Sequence, residues 1–410
     1  MLNTEKLISL LNDKRSKKRR RVFKKLIKRE GIEKKEADKT VPNGEALKSV
    51  DGSDKKSFAP VTLNTATSYY YSRYSPSLAA YLAHVNDVAV IGVNDYATVK
   101  GFKEFKFAAD IARLKYVYGY HAEVKPLFNE DYAVVYSYAV PFICAKELQK
   151  DLEPVRKIKY DYCKYVIAEI NKRLKKTKIR LSESDVIKNS EYLSGGAVTE
   201  KHVANVAAKI LSEKIGADKA VGFLTETLKL KLTDDETRYL SDADNEYIIE
   251  DTARILGEQI RKRFKCENLS SVKSIAAIND KYGVITAYKL KIRTLDEKDL
   301  SKKCAALKEA GISAVAFNGK YLSDEDLSRV YEIIYDNELI PIEIVRAGMV
   351  RQNVHLKSAS ERQLDVAYLL VGSAIAAACG ADEGFTGKSF ATDKDFKKKV
   401  EVFINAGKEA

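Results

Sequence analysis

The sequence predicts an α/β barrel, interrupted by a helical insertion and preceded by a basic helical arm. Three observations predict it. From Phe58 onward, short continuous apolar runs alternate with stretches of helical spacing, as in parallel strands buried on both faces and joined by helices. Between about Lys146 and Cys266 the alternation gives way to helical patterns alone. Ahead of both, residues 1–57 hold 18 Lys/Arg against 9 Asp/Glu, or +9 of the net +13, leaving 13 − 9 = +4 for the rest of the chain. The expected divisions are an arm over 1–57, barrel over 58–145, insertion over 146–268, and barrel with a C-terminal helix over 269–410.

Taken in order, residues 60–63 read as the first strand, and Ser75-Pro76 opens a helix with proline in its first turn. A second strand covers 88–93 and a helix about 98–114. Further strands cover 116–120 and 132–140. Segments 148–175, 199–215 and 235–264 carry apolar residues every three to four positions and read as the insertion helices. Strand–helix alternation then resumes: strand 283–290, helix 297–310, strand 314–317, helix 324–337 and strand 340–345. Helices over 361–378 and 393–406 close the chain. No repeat of fixed period is present.

With 410 residues and 45% hydrophobic content, the chain can bury one large core or two modest ones. No apolar run approaches the roughly 18 residues that span a bilayer. The start, MLNTEKLISLLNDKRSKKRRR, predicts no secretory signal, because charges follow a short apolar stretch without a small-residue cleavage site. Five scattered cysteines, an odd count without paired spacing, argue against a disulfide framework or zinc knuckle. They predict reduced thiols and a cytoplasmic protein.

The run 14–29 is nearly all Lys and Arg, with Val22, Phe23, Leu26 and Ile27 interleaved at helical spacing. Two readings stand. An amphipathic helix packs its apolar stripe on the main body, or the block attracts nucleic-acid phosphates.

In a parallel α/β barrel the reacting groups sit at the C-terminal strand ends. After the first strand comes Leu63-Asn64-Thr65-Ala66-Thr67-Ser68-Tyr69, continuing to Tyr74-Ser75-Pro76. After the second comes Asn94-Asp95-Tyr96-Ala97-Thr98-Val99-Lys100-Gly101, then Glu104-Phe105. After the third comes Gly119-Tyr120-His121. These segments resemble the opening of the PHP (polymerase and histidinol phosphatase) superfamily, in its branch of larger bacterial members. That family has His-x-His-Thr running to a Ser-Pro helix start, then Asp-His-Asp-Ser/Thr with a Gly and Phe following, then Gly-x-Glu. Ala310-Gly311-Ile312-Ser313-Ala314-Val315, Arg351-Gln352, Leu370-Val371-Gly372 and Thr199-Glu200-Lys201-His202 resemble later family segments. The resemblance covers about residues 58–380 and implies a distorted TIM-like (β/α)7 barrel and hydrolysis of phosphate esters with divalent metals such as Zn, Mn or Mg.

The same alignment marks the departures. Asn64 and Ala66 stand where the family has its first two metal histidines. Asp95 keeps a carboxylate, but Tyr96 replaces a histidine and Ala97 an acid. His121 takes the metal-bridging glutamate position, Val345-Arg346 a Glu-Asp pair, Gly348 an Asn, and Ser373-Ala374 a His-Glu pair. A multinuclear site needs several imidazoles and carboxylates to hold ions and acidify bound water. Methyl, phenol and guanidinium groups do neither, so no metal cofactor is expected and the chain reads as a pseudoenzyme. One alternative is a phosphoesterase that works with Asp95, His121 and one loosely held metal; another is a nucleic-acid-associated structural or assembly protein that uses the helical insertion and basic arm for partners.

Each remaining residue has a plain reading beside a functional one. Asp95 caps a helix starting at Thr98 or acts as a base. His121 fills space, or titrates beside Asp95 as acid or base. His202 caps its helix or serves a site. Arg346, Arg351, Gln352 and Lys100 form an anion pocket for a phosphorylated small molecule, or Arg346 pairs with Glu343 or Asp95. Tyr69, Tyr70, Tyr71 and Tyr74 pack a loop onto the barrel rim, or stack on a base or sugar. Ser194-Gly195-Gly196 lacks the Lys and Ser/Thr of a phosphate loop and reads as a turn.

Overall fold

The computed structural model describes residues 4–40, 59–216, 219–242, 245–344, 348–350, 353–355, 359–378 and 393–410. Strands β1 (Val61–Thr65), β2 (Val90–Tyr96), β3 (Lys115–Val124), β4 (Ala133–Tyr138), β5 (Ile285–Lys289), β6 (Ala314–Phe317) and β7 (Ile340–Glu343) form one curled sheet in chain order. All neighbours are parallel except β4, which runs antiparallel to β3 and β5. The expectation of parallel strands therefore fails at β4. Only residues 125–132 join β3 to β4, too few for a crossover helix, and a short connection forces a hairpin. Among the described residues β7 does not pair with β1, so the sheet is a half-barrel. A small hairpin of β8 (Gly348–Val350) and β9 (Asn353–His355) follows it.

Helices α1 (Thr4–Leu10) and α2 (Ser16–Thr40) precede the sheet. Next come α3 (Pro76–Val85), capped by Ser75, and α4 (Phe102–Ala112). Between β4 and β5 lie α5 (Ala145–Asp151), α6 (Glu153–Arg173), α7 (Glu183–Lys188), α8 (Glu200–Ile215), the single turn α9 (Ala220–Gly222), α10 (Asp234–Ser241), α11 (Ile248–Arg263) and α12 (Val272–Asp280). Helices α13 (Glu297–Glu309), α14 (Asp324–Asp336), α15 (Glu361–Ala378) and α16 (Asp393–Glu409) follow. Two expected helices are shorter than their patterns. The 98–114 segment becomes helical only at Phe102, because Ala97 turns through φ +45° and Thr98 and Val99 are tied to Gln149. The 235–264 segment breaks at a turn held by Asn245, whose side chain reaches Tyr239 O and Asp251. Helix α12, capped by Ser271, was hidden by its brevity.

Alternation along the strands divides the core. Ile91, Val93, Tyr118 and Tyr120 face α2, α3 and α4, while Val90, Val117, Tyr136, Tyr138, Ala287 and Ile342 face α15 and α16. Helix α15 lies across β1, β2, β3 and β7 and covers the inside of the curl. It packs backbone to backbone on α16: a β-carbon on Gly372 would overlap the Phe403 carbonyl, and one on Gly407 the Tyr368 carbonyl. The insertion has its own core, built from Tyr162, Val166, Val203, Leu211, Leu224 and Leu256 among others.

The arm folds back onto the body. Val22, Phe23 and Leu26 are buried against α3 and α4. Arg19, 3% exposed, donates to Glu104, 5% exposed, Nε to Oε1 at 2.8 Å and Nη2 to Oε2 at 2.5 Å. The apolar stripe is a packing stripe. Among the described residues no helix is long and apolar enough to cross a membrane.

Candidate functional site

The strand tips bring some of the sequence-marked residues together and separate others. In the β2–β3 register Tyr96 lies opposite His121, and Asp95 opposite Tyr120. Side chains alternate faces, so Tyr96, Asn94 and His121 point into the curl while Asp95 points toward α3 and α4. His121 and Asp95 are not side by side.

Asp95 is a clasp. Its Oδ1 accepts from the Thr67 backbone N–H at 2.6 Å and its Oδ2 from the Thr67 hydroxyl at 2.7 Å, binding the loop after β1 to the tip of β2. It is 1% exposed. Burial raises its pKa to about 6, against the opposing pull of the Thr67 bonds. The expected helix-capping role is corrected: α4 starts at Phe102 behind Gly101, seven residues beyond Asp95. Thr98 instead donates to Gly195 O at 2.7 Å.

His121 sits in a ring of aromatic side chains. Tyr70 and Tyr96 meet it edge-on at 4.8 and 5.6 Å between ring centres, and Tyr136 lies tilted at 5.8 Å. Its Nδ1 lies 2.9 Å from Asn94 Oδ1 and donates to it. Burial first, then the charges of Lys201, Lys159 and Lys289, depress its pKa to about 3. The imidazole is neutral and weakly basic, and one nitrogen is spent on Asn94. Asn64 Oδ1 accepts from the Tyr138 hydroxyl at 2.7 Å. The amide nitrogens of Asn64 and Asn94 and the Tyr96 hydroxyl are buried without a protein partner, positions suited to ordered water. Ala66 carries no donor atom on its side chain.

Ser373 is buried in mid-α15 with its hydroxyl unpartnered. Lys100 is exposed, and its stem lies on Gly195, whose φ of +92° closes the expected turn. Arg346, Arg351 and Gln352, with Val345, lie outside the described residues. Tyr70 packs against Tyr96 and His121, and Tyr71 against His202, as a rim-packing loop does. His202 Nδ1 accepts from the Thr199 backbone N–H at 3.1 Å, the capping role.

Sequence reasoning missed an ion quartet beside this centre, with Lys159 and Glu200 buried and Glu123 and Arg261 partly exposed. Lys159 on α6, 2% exposed, reaches Glu123 at the end of β3 at 2.6 Å and Glu200 on α8 at 2.8 Å. Arg261 on α11 pairs with Glu200, lies 3.5 Å from Glu123, and donates to the Tyr132 hydroxyl at 2.8 Å. Burial opposes the charge on both Lys159 and Glu200, but the opposite charges outweigh it: Lys159 is held well above its ordinary range and Glu200 well below. The quartet borders a 250 Å³ cavity with Tyr162 and Cys266, and the Lys159 ammonium lies 5.6 Å from the Tyr96 ring centre. It pins three insertion helices to the barrel. A signal existed: Lys159 falls on the apolar face of α6, in step with Val155, Cys163 and Val166.

These groups do not fit a metal centre. Among the described residues no three His, Cys, Asp or Glu side chains are grouped to hold an ion. Of the residues at the family's ligand positions, Asp95 is held by Thr67 and faces away from His121, and Asn64 accepts from Tyr138.

No protein-family model matches the chain, and no curated protein matches it. Solved structures of similar fold include the following two. A "putative metal-dependent phosphoesterase" from Bifidobacterium adolescentis shares 10% identity over 74% of this chain and 93% of its own, with a TM-score of 0.48. An amidohydrolase from Chromobacterium violaceum, with bound sulfate and no metal, shares 12% identity over the same fractions, with a TM-score of 0.50. At 12% identity the second likeness speaks for the fold alone.

Proposed function

We propose that this chain is a PHP-type barrel that binds rather than hydrolyses, its strand-tip centre filled by aromatic rings and amides in place of ions. The observation that carries the reading is the environment of His121: one nitrogen bonded to Asn94, three tyrosines around the ring, and a pKa pushed down to about 3. A general acid–base pair needs two groups within reach of one substrate proton. Asp95, the other candidate, faces away and is held by Thr67.

Lys201 and Lys289 add positive charge near His121, which suits an anion, while Lys159 is balanced by Glu123 and Glu200. We assign the ligand to the class of phosphorylated small molecules, with Lys100, Arg346, Arg351 and Gln352 as its holding groups. No metal-dependent step is assigned to this centre.

The test is hydrolysis of a chromogenic phosphomonoester by purified protein supplied with Mn, Zn or Mg, run beside thermal unfolding in inorganic phosphate and in a nucleoside monophosphate. The account expects no turnover above the blank. It expects a rise in Tm with the phosphate compounds that Arg346→Ala removes. Turnover lost on His121→Ala would overturn the first part, and an equal Tm response in Arg346→Ala the second.

A further inference from the structure

We propose that the outward face of α2 is a docking surface for the phosphate backbone of a nucleic acid. Residues 14–29 contain eleven Lys/Arg and no acid. The structure sorts them. Arg19 is consumed by Glu104, and Arg15 and Lys18 by Asp13. Lys14, Lys17, Arg21, Lys24, Lys25 and Lys28 are exposed, and among the described residues none of the six has a carboxylate partner. Lys17, Arg21, Lys24 and Lys28 recur at intervals of three or four and therefore form one stripe. At ~1.5 Å per residue the stripe runs about 16 Å, a length over which duplex nucleic acid presents roughly nine or ten phosphates. The stripe reaches onto α4: Arg20 and Lys24 lie over the Phe107 ring, at 5.5 and 5.3 Å from its centre. Exposed Lys103 stands one turn before Phe107 on that face.

Two features distinguish this surface from a solvated charge run. The helix is fixed in place by buried Leu7, Leu11, Val22, Phe23 and Leu26 and by the Arg19–Glu104 pair, so the ammonium groups are presented in a set register. Its apolar residues also face inward. A helix that lies on a lipid surface must sink an apolar face into the headgroup boundary, and α2 has already buried its own against the barrel. A polyanion that needs charge alone fits the face that remains.

The experiment measures binding of the full chain to fluorescent single-stranded RNA and to duplex DNA of mixed sequence, by anisotropy across a salt series, with phosphatidylserine vesicles in parallel. With about six cations engaged, the logarithm of the affinity should fall against the logarithm of salt with a slope near −5, or roughly a thousandfold between 50 and 200 mM. Replacing Lys17, Arg21, Lys24 and Lys28 by Gln should make the slope shallower by about 3–4. Replacing exposed Lys172, Lys175, Lys176 and Lys178 on the insertion by Gln changes the net charge equally and should leave the slope in place. Equal loss in both variants, a wild-type slope shallower than about −2, or binding to vesicles without binding to either polynucleotide would overturn the proposal. If the fourfold variant fails to fold, Lys17→Gln and Lys24→Gln singly should each make the slope shallower by about 1, and an unchanged slope in both would overturn the proposal; hydrolysis by the barrel is a separate readout.

Discussion

Asp95 makes the pH dependence of folding a direct test of the clasp between β2 and the loop after β1. Its carboxyl is raised from an ordinary 3.8 to about 6, burial being the cause. Between those values the folded state holds a proton that the unfolded state has released, so this residue's contribution to stability falls as pH rises through the window. At about 1.4 kcal/mol per pH unit, the loss amounts to about 3 kcal/mol by neutral pH. In Asp95→Asn the carbonyl oxygen can still accept from the Thr67 N–H, and the amide can donate to the Thr67 hydroxyl, while the charge is gone. Urea denaturation of both proteins from about pH 4 to about pH 8 should show the Asn variant gaining on the wild type by roughly 2–3 kcal/mol. His121 and His202, whose burial lowers their pKa values to about 3 and about 4, contribute the opposite trend, stability lost as pH falls. Both proteins share that trend, so it cancels in the difference. A difference that stays flat with pH, or an Asn variant that loses ground as pH rises, would refute the burial argument.

Three further outcomes follow from the packing. Lys159→Met strands Glu123 and Glu200 without their buried cation and should cost about 3–5 kcal/mol in chemical denaturation, part of which Glu200→Gln in the same chain restores. Arg19→Met leaves Glu104 uncompensated in the core and should cost a similar ~3–5 kcal/mol, with limited proteolysis then cutting first within 14–29. Gly372→Ala forces α15 off α16 and should destabilise by about 1–3 kcal/mol, whereas Gly222→Ala, which meets open space at a helical position, should stabilise by roughly 0.5–1 kcal/mol. Equal effects of the two glycine changes in thermal unfolding would contradict the close helix contact.

Much of the fold was legible because strand and helix periods are local properties of the chain. Runs such as Val88–Val93 and Ala314–Phe317 mark buried strands whatever they pair with. The direction of β4 was not, since it depends on a loop length that becomes decisive only once β3 and β4 are known to be neighbours. The start of α4 was misplaced because Thr98 and Val99 are held by Gln149 across the fold, a contact that no window of sequence contains. At the site, the replacement of ligand residues could be read from residue types. Which face each residue occupies could not, and that separates Asp95 from His121. The ion quartet was obscured because Lys159 sits among surface lysines in sequence, and only its step with the apolar face of α6 distinguishes it.

The measurement closest to the central claim is elemental analysis of the purified chain after equilibration with Zn, Mn and Mg, followed by removal of free ions. Far less than one tightly held ion per chain is expected, with no change in that figure for His121→Ala. Two ions per chain, lost together when Asp95 or His121 is replaced, would contradict it.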